Sequence, residues 1–332
     1  MLVYNNTGLT FKFLENNLPF VEDYPLLIID NGSSTEEETI LKNYAASMGW
    51  DIWSLNSEKD DFYIVSKGNK HGRYLLLLKA NTGYARGNNY GIKFIHSIID
   101  CKYILICNND VFWNRNIISV LEREIRKDPS LLMVAPQVKD MYSNKWDNPL
   151  KYEVNRSFAT AIYRVFYPFS RVLRRFKSVI LKQNGRTIIQ TVPKGRKTGL
   201  IYVDLPNNYL LGCCLMLSYR NFKAIGFFDP NTFLGSEEII ISDKANKCNL
   251  TIAYTNEISV VHMRGDTRKK TLSSTQLLKV FEDSDLYYLQ KYRNYPKWKL
   301  KFINFANIYF RSIWLPILLK LKGMILFCNK HK

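Results

Sequence analysis

The chain has 332 residues, of which 46% are hydrophobic and 14% aromatic, enough to bury the core of one large domain or two ordinary ones. With 16 Gly, 11 Pro and no repeat or low-complexity tract, it is neither collagen-like nor a disordered linker. Its formal net charge of +18 favours a polyanionic partner, either a nucleic acid or an anionic lipid surface.

The positive charge is concentrated in two segments. Residues 151–200 carry twelve Lys or Arg and one acid, and residues 286–332 carry ten Lys or Arg and no acid, while the rest of the chain is close to neutral. Apolar residues recur at helical spacing in each segment, over 158–180 and 302–321, which predicts basic amphipathic helices lying on a membrane. Charged residues and Pro316 interrupt the second helix, so we expect it not to cross the bilayer. The alternative is that both helices pack on the main body or in a dimer interface, with their charges simply solvated.

The six cysteines form no Cys-x-x-Cys pair, and most lie in apolar runs, which favours reduced thiols in the core of a cytoplasmic protein. The amino-terminal residues lack the charged start and long apolar stretch of a signal peptide, so we expect no secretion.

The first part of the chain alternates short apolar runs with polar segments of helical length. The runs at 26–29, 74–78 and 103–107 predict strands, and the segments 34–48 and 87–99 predict helices. This alternation is typical of a parallel α/β sheet, in which ligands bind at the carboxyl ends of the strands.

A polar loop follows each of these three strands. The first contains a carboxylate and a Ser that can cap the next helix; the second contains glycines that let the backbone approach a phosphate or a base; the third contains oxygen ligands that suit a divalent cation holding a diphosphate. Taken alone, the first loop is equally consistent with an ordinary turn, the second is weak evidence for a binding site, and a sequence like the third is more often a turn than a metal site. The loops are residues 30–34 (DNGSS), 81–89 (NTGYARGNN) and 108–112 (NNDVF).

The order of these loops resembles glycosyltransferase family 2, and four later motifs, taken as a set, strengthen the resemblance. It extends over roughly residues 2–265 and is nearest to bacterial rhamnosyltransferase-like and related cell-surface polysaccharide enzymes. The later motifs are 211–216 (LGCCLM), 225–229 (IGFFD), 233–238 (FLGSEE) and 260–262 (VVH).

The resemblance implies an A-type glycosyltransferase fold, a single α/β domain with a mixed central sheet and helices on both faces. This catalytic domain would comprise residues 1–285, with the basic amphipathic insertion at about 151–200. Residues 286–332 would form a basic, membrane-associating segment. The opening strand, at 2–4, is shorter than is usual in the family.

The resemblance also implies residue roles. Asp30 would contact the nucleotide base or ribose. Asp110 would ligate Mg²⁺ or Mn²⁺, and His262 would support the metal or the diphosphate. Glu238 would be the catalytic base, with Glu237 beside it. Further residues assigned to the donor pocket are Asn81, Gly83, Asn88, Asn108 and Gly212.

Two of these positions depart from the family pattern. Asn108 stands where an Asp is usual, and Glu238 stands where the catalytic Asp is usual, so either Glu237 or Glu238 could be the base; we favour Glu238. The two acids also suit the first turn of a helix, and His262 equally suits a hydrogen-bonded position at a strand end.

The implied activity is inverting, metal-dependent transfer of a sugar from a UDP- or dTDP-sugar to a lipid-linked or growing surface polysaccharide of the O-antigen or capsule type. The enzyme would be peripheral at the inner face of the cell membrane, and a homo-oligomer is left open. The alternatives are an inactive relative acting as a scaffold and a nucleic-acid-binding protein that uses the basic segments. The apolar faces of these segments and the lack of a nucleic-acid-binding motif argue against the second alternative.

Overall fold

The computed structural model describes residues 1–55, 72–167, 186–188, 199–263 and 273–320. The chain forms two compact units. The sheet unit consists of Met1–Leu150 and Ile188–Thr271, and the helical unit of Lys151–Thr187 and Leu272–Lys332. The boundaries predicted from the sequence stay a prediction.

The strands are short, and apolar side chains dominate the central ones. In chain order they are β1 (Leu2–Val3), β2 (Leu26–Asp30), β3 (Asp51–Leu55), β4 (Arg73–Leu78), β5 (Tyr103–Cys107), β6 (Val111–Phe112), β7 (Leu131–Asp140), β8 (Leu150–Tyr152), β9 (Arg186–Ile188), β10 (Leu200–Tyr202), β11 (Asn208–Tyr209), β12 (Cys214–Ser218) and β13 (Thr251–His262).

The described helices are distributed over both units. They are α1 (Thr7–Asn17), α2 (Thr35–Ser47), α3 (Gly83–Ile98), α4 (Ile118–Ile125), α5 (Arg156–Val165), α6 (Tyr219–Ala224), α7 (Glu237–Lys247), α8 (Ser274–Lys291) and α9 (Lys297–Tyr309).

The sheet is mixed. Strands β1, β2, β4 and β3 pair in that order and are parallel, whereas β10, β13, β7, β12 and β5 form a second array with both parallel and antiparallel neighbours. Leu2 connects the two arrays, since it pairs with Ile29 on one side and bridges to Asn108 on the other. Helix α3 packs on β1 and β2, and α4 on β7 and β12. The predicted α/β class with a mixed sheet is therefore confirmed.

The sequence signals account for the element ends. The Ser34 hydroxyl accepts a hydrogen bond from the Glu37 amide, so Ser34 caps α2 as predicted. Helix α3 begins at Gly83, four residues before the predicted start, because the Tyr84 amide donates to the Phe233 carbonyl at 2.8 Å. That partner is distant in sequence, and a local pattern does not reveal it.

The core of the sheet unit lies around β7, β12 and β13, where Leu132, Met133, Leu215 and Ile252 are fully buried. The free thiols of Cys107, Cys213 and Cys214 are also buried there, as predicted. Cys248 differs and is exposed, because it follows the last turn of α7.

The helical unit contains a buried ionic cluster. The Glu282 carboxylate on α8 lies 2.6 Å from Arg164 on α5 and 3.1 Å from Arg311, and all three side chains are largely buried. Arg311 belongs to a π-helical turn, Phe310–Trp314, that continues α9. The cluster holds one face of the α9 helix against its neighbours within this unit.

The two predicted amphipathic helices are described in part. Helix α5 covers the start of the first, and the remainder, from residue 168, lies outside the described residues. The second forms one helix, Lys297–Lys320, and it begins five residues earlier than predicted. By length and composition alone this helix could cross a membrane, a criterion that core helices of soluble proteins also meet.

Candidate functional site

The predicted metal ligands face each other. Asp110 follows β5 and His262 ends β13; pairing of β13 with β6 brings these ends together, and Asp110 Oδ1 lies 3.3 Å from His262 Nε2. Both side chains are buried. Neither atom has a hydrogen-bond partner among the residues that the structure describes. A buried, unsatisfied carboxylate oxygen and ring nitrogen are costly unless another group satisfies them.

The chemistry of this pair fits a divalent cation, since carboxylates bind Mg²⁺ and Mn²⁺ and a neutral imidazole binds divalent transition metals. Two side chains make an incomplete coordination shell. In the described part of the chain, no group of three or more His, Cys, Asp or Glu side chains is placed to hold a metal. A cation held by Asp110 and His262 would therefore need further oxygen ligands from a bound molecule or water.

The two asparagines before Asp110 have backbone and side-chain partners. The Asn108 amide donates to the Cys213 carbonyl at 2.9 Å, which joins the end of β5 to the start of β12. The Asn109 side chain donates to the Thr10 hydroxyl at 3.0 Å and is buried. Asn109 thus secures the loop to α1, and Asn108 lies beside residues 212–214.

Glu238 lies at the same edge of the sheet. Its carboxylate accepts a hydrogen bond from the Gly212 amide at 3.2 Å, and the Tyr84 hydroxyl donates to the Gly212 carbonyl at 2.6 Å. Burial and the nearby carboxylates of Glu238 and Glu237 raise the pKa of Tyr84 well above its usual range. The sequence analysis assigns no role to Tyr84. Its position within the 81–89 loop is the sequence feature that could have indicated one.

The neighbouring Glu237 has a different environment. It is 3% exposed, and its carboxylate accepts a hydrogen bond from the Gly235 amide at 2.8 Å. Ser236, which lies between Gly235 and Glu237, has a left-handed backbone conformation with φ of 68°. The side chain of Glu237 therefore closes the turn at the start of α7, whereas that of Glu238 reaches Gly212.

Asp30, at the end of β2, is fully buried. Its Oδ1 accepts hydrogen bonds from the amide and the hydroxyl of Ser33, while Oδ2 has no partner in the described part of the chain. Burial raises the pKa of Asp30 to about 6, although the Ser33 hydrogen bonds oppose this rise. Among the described residues, nothing satisfies this second oxygen of the carboxyl group.

The 81–89 loop is organised by an asparagine that the sequence reasoning left without a role. Asn31 donates to Asn81 Oδ1 at 3.0 Å and accepts from the Thr82 amide at 3.1 Å. Asn81 in turn accepts from the Gly83 amide. Gly83 has φ of +82°, and a Cβ there would lie 2.5 Å from the Phe233 carbonyl oxygen, so only glycine fits.

Asn88 occupies an interior position of α3. Its side chain is buried and donates to the Tyr84 carbonyl one turn earlier at 2.9 Å. This hydrogen bond supports the helix on which the loop ends. Its predicted role in lining the nucleotide pocket stays a prediction.

The sheet topology brings the predicted residues to one edge. Because β1 lies between β2 and the end of β5, Asp30 and Asn108 are separated by a single strand. Gly212 and Glu238 adjoin Asn108 through Cys213, and His262 adjoins Asp110. The result is a cluster of carboxylates, amides and one imidazole at the carboxyl ends of parallel strands, where α/β proteins bind ligands.

Comparison with known proteins finds a sequence relative. No family model matches the chain. The chain is 22% identical over 251 residues to the low-salt glycan biosynthesis hexosyltransferase Agl10 of Haloferax volcanii, an alignment that covers 76% of this chain and 62% of that protein. The chain thus spans less than two thirds of the length of this relative. This similarity relates the chain to glycosyltransferases, and its own activity is a matter for proposal.

Two solved structures overlap with the chain at low similarity. One is the crystal structure of GalNAc-T7 with UDP, GalNAc and Mn²⁺, with 13% identity, a TM-score of 0.49, and coverage of 88% of this chain and 51% of that chain. The other is the mannosyltransferase PcManGT from Pyrobaculum calidifontis in complex with GDP-Man and Mn²⁺, with 12% identity, a TM-score of 0.46, and coverage of 98% and 79%. No functional conclusion follows from overlaps of this size.

Proposed function

We propose that this protein is an inverting, metal-dependent glycosyltransferase of family 2 that moves a sugar from a UDP- or dTDP-sugar to a glycan acceptor. The observation that carries the proposal is the buried pair of Asp110 Oδ1 and His262 Nε2, 3.3 Å apart and without hydrogen-bond partners among the described residues. A divalent cation bound there would stabilise the negative charge that builds on the departing diphosphate.

Glu238 supplies the base in this proposal. The acceptor hydroxyl must lose its proton as it attacks the anomeric carbon, and a carboxylate within hydrogen-bond reach accepts that proton. The Gly212 amide orients Glu238 by binding one carboxylate oxygen. A single displacement on the face opposite the leaving diphosphate inverts the anomeric centre.

Asp30 supplies the contact to the nucleoside. Its buried Oδ2 lacks a protein partner in the described residues and can accept a hydrogen bond from a base N–H or a ribose hydroxyl. Burial of the carboxyl group raises the pKa of Asp30. A hydrogen bond donated by the bound nucleoside would favour the ionised form.

The test is a donor panel with purified protein. Thermal stability is measured with UDP, dTDP and GDP and with their sugars, each with and without Mn²⁺, for the wild type, Asp110→Asn and the control Asp51→Asn, an exposed carboxylate on β3. We expect Mn²⁺-dependent stabilisation by one nucleotide class, lost in Asp110→Asn and kept in Asp51→Asn. Stabilisation that is independent of metal in every variant would contradict the metal site, and no response to any nucleotide would contradict the donor class.

We further propose that the acceptor is lipid-linked and that the helical unit attaches the enzyme to an anionic membrane surface. The exposed face of α9, opposite Ile303, carries large apolar side chains, with Trp298 63% exposed and Phe305 57% exposed. Lys297, Lys301 and Asn304 are exposed on the same face. Residues 286–332 add ten basic residues and no acid, and each basic residue near an anionic leaflet contributes about 1 kcal/mol. Exposed apolar side chains next to positive charge suit a helix at an anionic membrane surface.

Vesicle co-sedimentation tests the membrane proposal. The full chain is mixed with phosphatidylcholine vesicles, with or without phosphatidylglycerol, at low and high salt. We expect salt-sensitive binding to the anionic vesicles, reduced several-fold in Phe305→Glu but not in Tyr142→Glu, an exposed control in the sheet unit. Equal binding to neutral vesicles, or an unchanged Phe305→Glu variant, would contradict the proposal. Retention in membranes after a high-salt, alkaline wash would indicate a spanning helix instead.

A further inference from the structure

The 81–89 loop is bound to the chain segment that precedes Glu238. The Tyr84 amide donates to the Phe233 carbonyl at 2.8 Å, and Gly83 packs so closely on this carbonyl that a Cβ on residue 83 would lie 2.5 Å from its oxygen. Glu238 follows Phe233 by five residues and is the second residue of α7. The beginning of α3 thus fixes the backbone that leads into the proposed base.

Two further side chains of the loop bind the same segment. Arg86 Nε donates to the Pro230 carbonyl at 2.8 Å. The Asn89 side chain donates to the Phe228 carbonyl at 3.0 Å and accepts from the Phe228 amide at 3.1 Å. Residues 228–233 are therefore held along the first turns of α3.

The side chain of Tyr84 extends this connection to Gly212. The Tyr84 hydroxyl donates to the Gly212 carbonyl at 2.6 Å, and the Gly212 amide donates to the Glu238 carboxylate at 3.2 Å. The Tyr84 ring packs edge-on against Phe228, with the ring centroids 5.8 Å apart. Tyr84 therefore contacts both the backbone segment that leads into α7 and the residue that binds the Glu238 carboxylate.

The Tyr84 hydroxyl keeps its proton in this environment. Burial and the negative charge of the nearby Glu238 and Glu237 carboxylates raise the pKa of Tyr84 well above its usual range, so the phenol is a hydrogen-bond donor at neutral pH. Gly212 is buried, and a buried carbonyl oxygen is costly to leave without a hydrogen bond. The hydroxyl thus favours one position of the Gly212 backbone.

We propose that Tyr84 is a positioning residue for Glu238 and that it joins the loop assigned to the donor pocket to the base that activates the acceptor. This inference rests on the proposed function. The Tyr84 amide holds the backbone before α7, and the Tyr84 hydroxyl holds Gly212 so that the Gly212 amide meets the carboxylate. A nucleotide bound to the 81–89 loop therefore acts on the same residue that aligns Glu238.

The test is a double-mutant cycle on kcat. The wild type, Tyr84→Phe, Glu238→Gln and the double variant are compared in the Mn²⁺-dependent release of UDP or dTDP from UDP- and dTDP-sugars, with water as the acceptor. The water oxygen bonds to the anomeric carbon, the bond to the diphosphate breaks, and the water proton passes to Glu238. Tyr44→Phe is the matched control, because it removes the hydroxyl of a half-buried tyrosine on α2 in the same unit.

We expect Tyr84→Phe to lower kcat by at least about tenfold and to leave the donor KM within about twofold, because a misplaced base slows the chemical step without weakening donor binding. In the Glu238→Gln background the same substitution should change kcat by less than about twofold, since the base that Tyr84 positions is already absent. Unchanged kcat in Tyr84→Phe, or an equal loss in both backgrounds, would overturn the proposal. A rise in KM alone would also overturn it, because Tyr84 would then be a donor-binding residue.

A measurement that needs no turnover separates this inference from the proposed function. We expect hydrogen exchange at the Gly212 amide to accelerate by at least about tenfold in Tyr84→Phe and to stay unchanged in Tyr44→Phe. Unchanged exchange in Tyr84→Phe would overturn the proposal. Wild-type protein that releases no nucleotide from any donor would contradict the proposed function, and exchange at Gly212 would still decide whether Tyr84 holds this residue in place.

Discussion

The Glu238 carboxylate packs directly against the backbone of Gly212 and accepts a hydrogen bond from the Gly212 amide at 3.2 Å. A Cβ on residue 212 would lie 3.0 Å from Glu238 Oε1 and 3.1 Å from Glu238 Cγ. The absence of a side chain at position 212 thus allows the carboxylate to approach the backbone. The carbonyl of the adjoining Cys213 accepts a hydrogen bond from the Asn108 amide, so this approach connects the first turn of α7 to the loop that contains Asp110.

Replacing Gly212 by Ala should therefore displace the Glu238 carboxylate. We expect kcat to fall by at least about tenfold, since a small misplacement of a catalytic group is costly, while Tm changes little. Steady-state kinetics and thermal unfolding measure the two effects. Gly8→Ala is the matched control, because a Cβ there meets no atom within 4 Å. Unchanged kcat in Gly212→Ala would show that the position of Glu238 is not critical.

Glu238→Gln and Glu237→Ala should separate chemistry from structure. Removing a general base costs about 10²–10⁴ in rate, so we expect this loss of kcat in Glu238→Gln with Tm nearly unchanged. Glu237→Ala should instead lower Tm, because it removes the buried oxygen that accepts the hydrogen bond from the Gly235 amide. Glu36→Gln, an exposed acid in the first turn of α2, is the control. The opposite pattern would make Glu237 the base.

Asp30 should make stability depend on pH. The pKa of Asp30 is about 6 in the folded protein, whereas its ordinary value is 3.8. Between these two pH values the folded state therefore binds more protons than the unfolded state. The free energy of unfolding therefore falls as the pH rises, by about 2 kcal/mol between pH 4 and pH 7, and Asp30→Asn removes this contribution. Denaturant unfolding at several pH values measures it, with Asp51→Asn as the control for loss of one charge. A constant difference between the wild type and Asp30→Asn across this range would refute the prediction.

Glu282 should be important for the stability of the helical unit. Removing the shared partner of Arg164 and Arg311 leaves two largely buried cations without their carboxylate, which we expect to cost about 3 kcal/mol in Glu282→Ala. The neighbouring Asp283→Ala removes a half-exposed acid paired with Lys279 and should cost less than about 1 kcal/mol. Chemical denaturation and limited proteolysis of α8 and α9 test the difference. Equal stability of the two variants would show that the cluster contributes little.

The local patterns of the sequence were sufficient for the first three predicted strands and for α2. Apolar runs bounded by turn residues specify such elements through burial and capping, which act over a few residues. The start of α3 was predicted four residues late, since the amide of its second residue, Tyr84, donates to the Phe233 carbonyl, far along the chain. The pairing of Leu2 with Ile29 on one side and with Asn108 on the other was likewise beyond local patterns, because it depends on what lies across the sheet.

The sequence by itself determined the α/β class, the chain order of the polar loops and the types of side chain that the site can use, because periodicity and turn chemistry are local properties. Only the tertiary structure decided which of these side chains meet. It placed Asp110 against His262 through the pairing of β6 with β13, and it directed Glu238 to Gly212 while Glu237 turned to Gly235. Such contacts join residues that are distant along the chain, and strand pairing and close backbone packing set them.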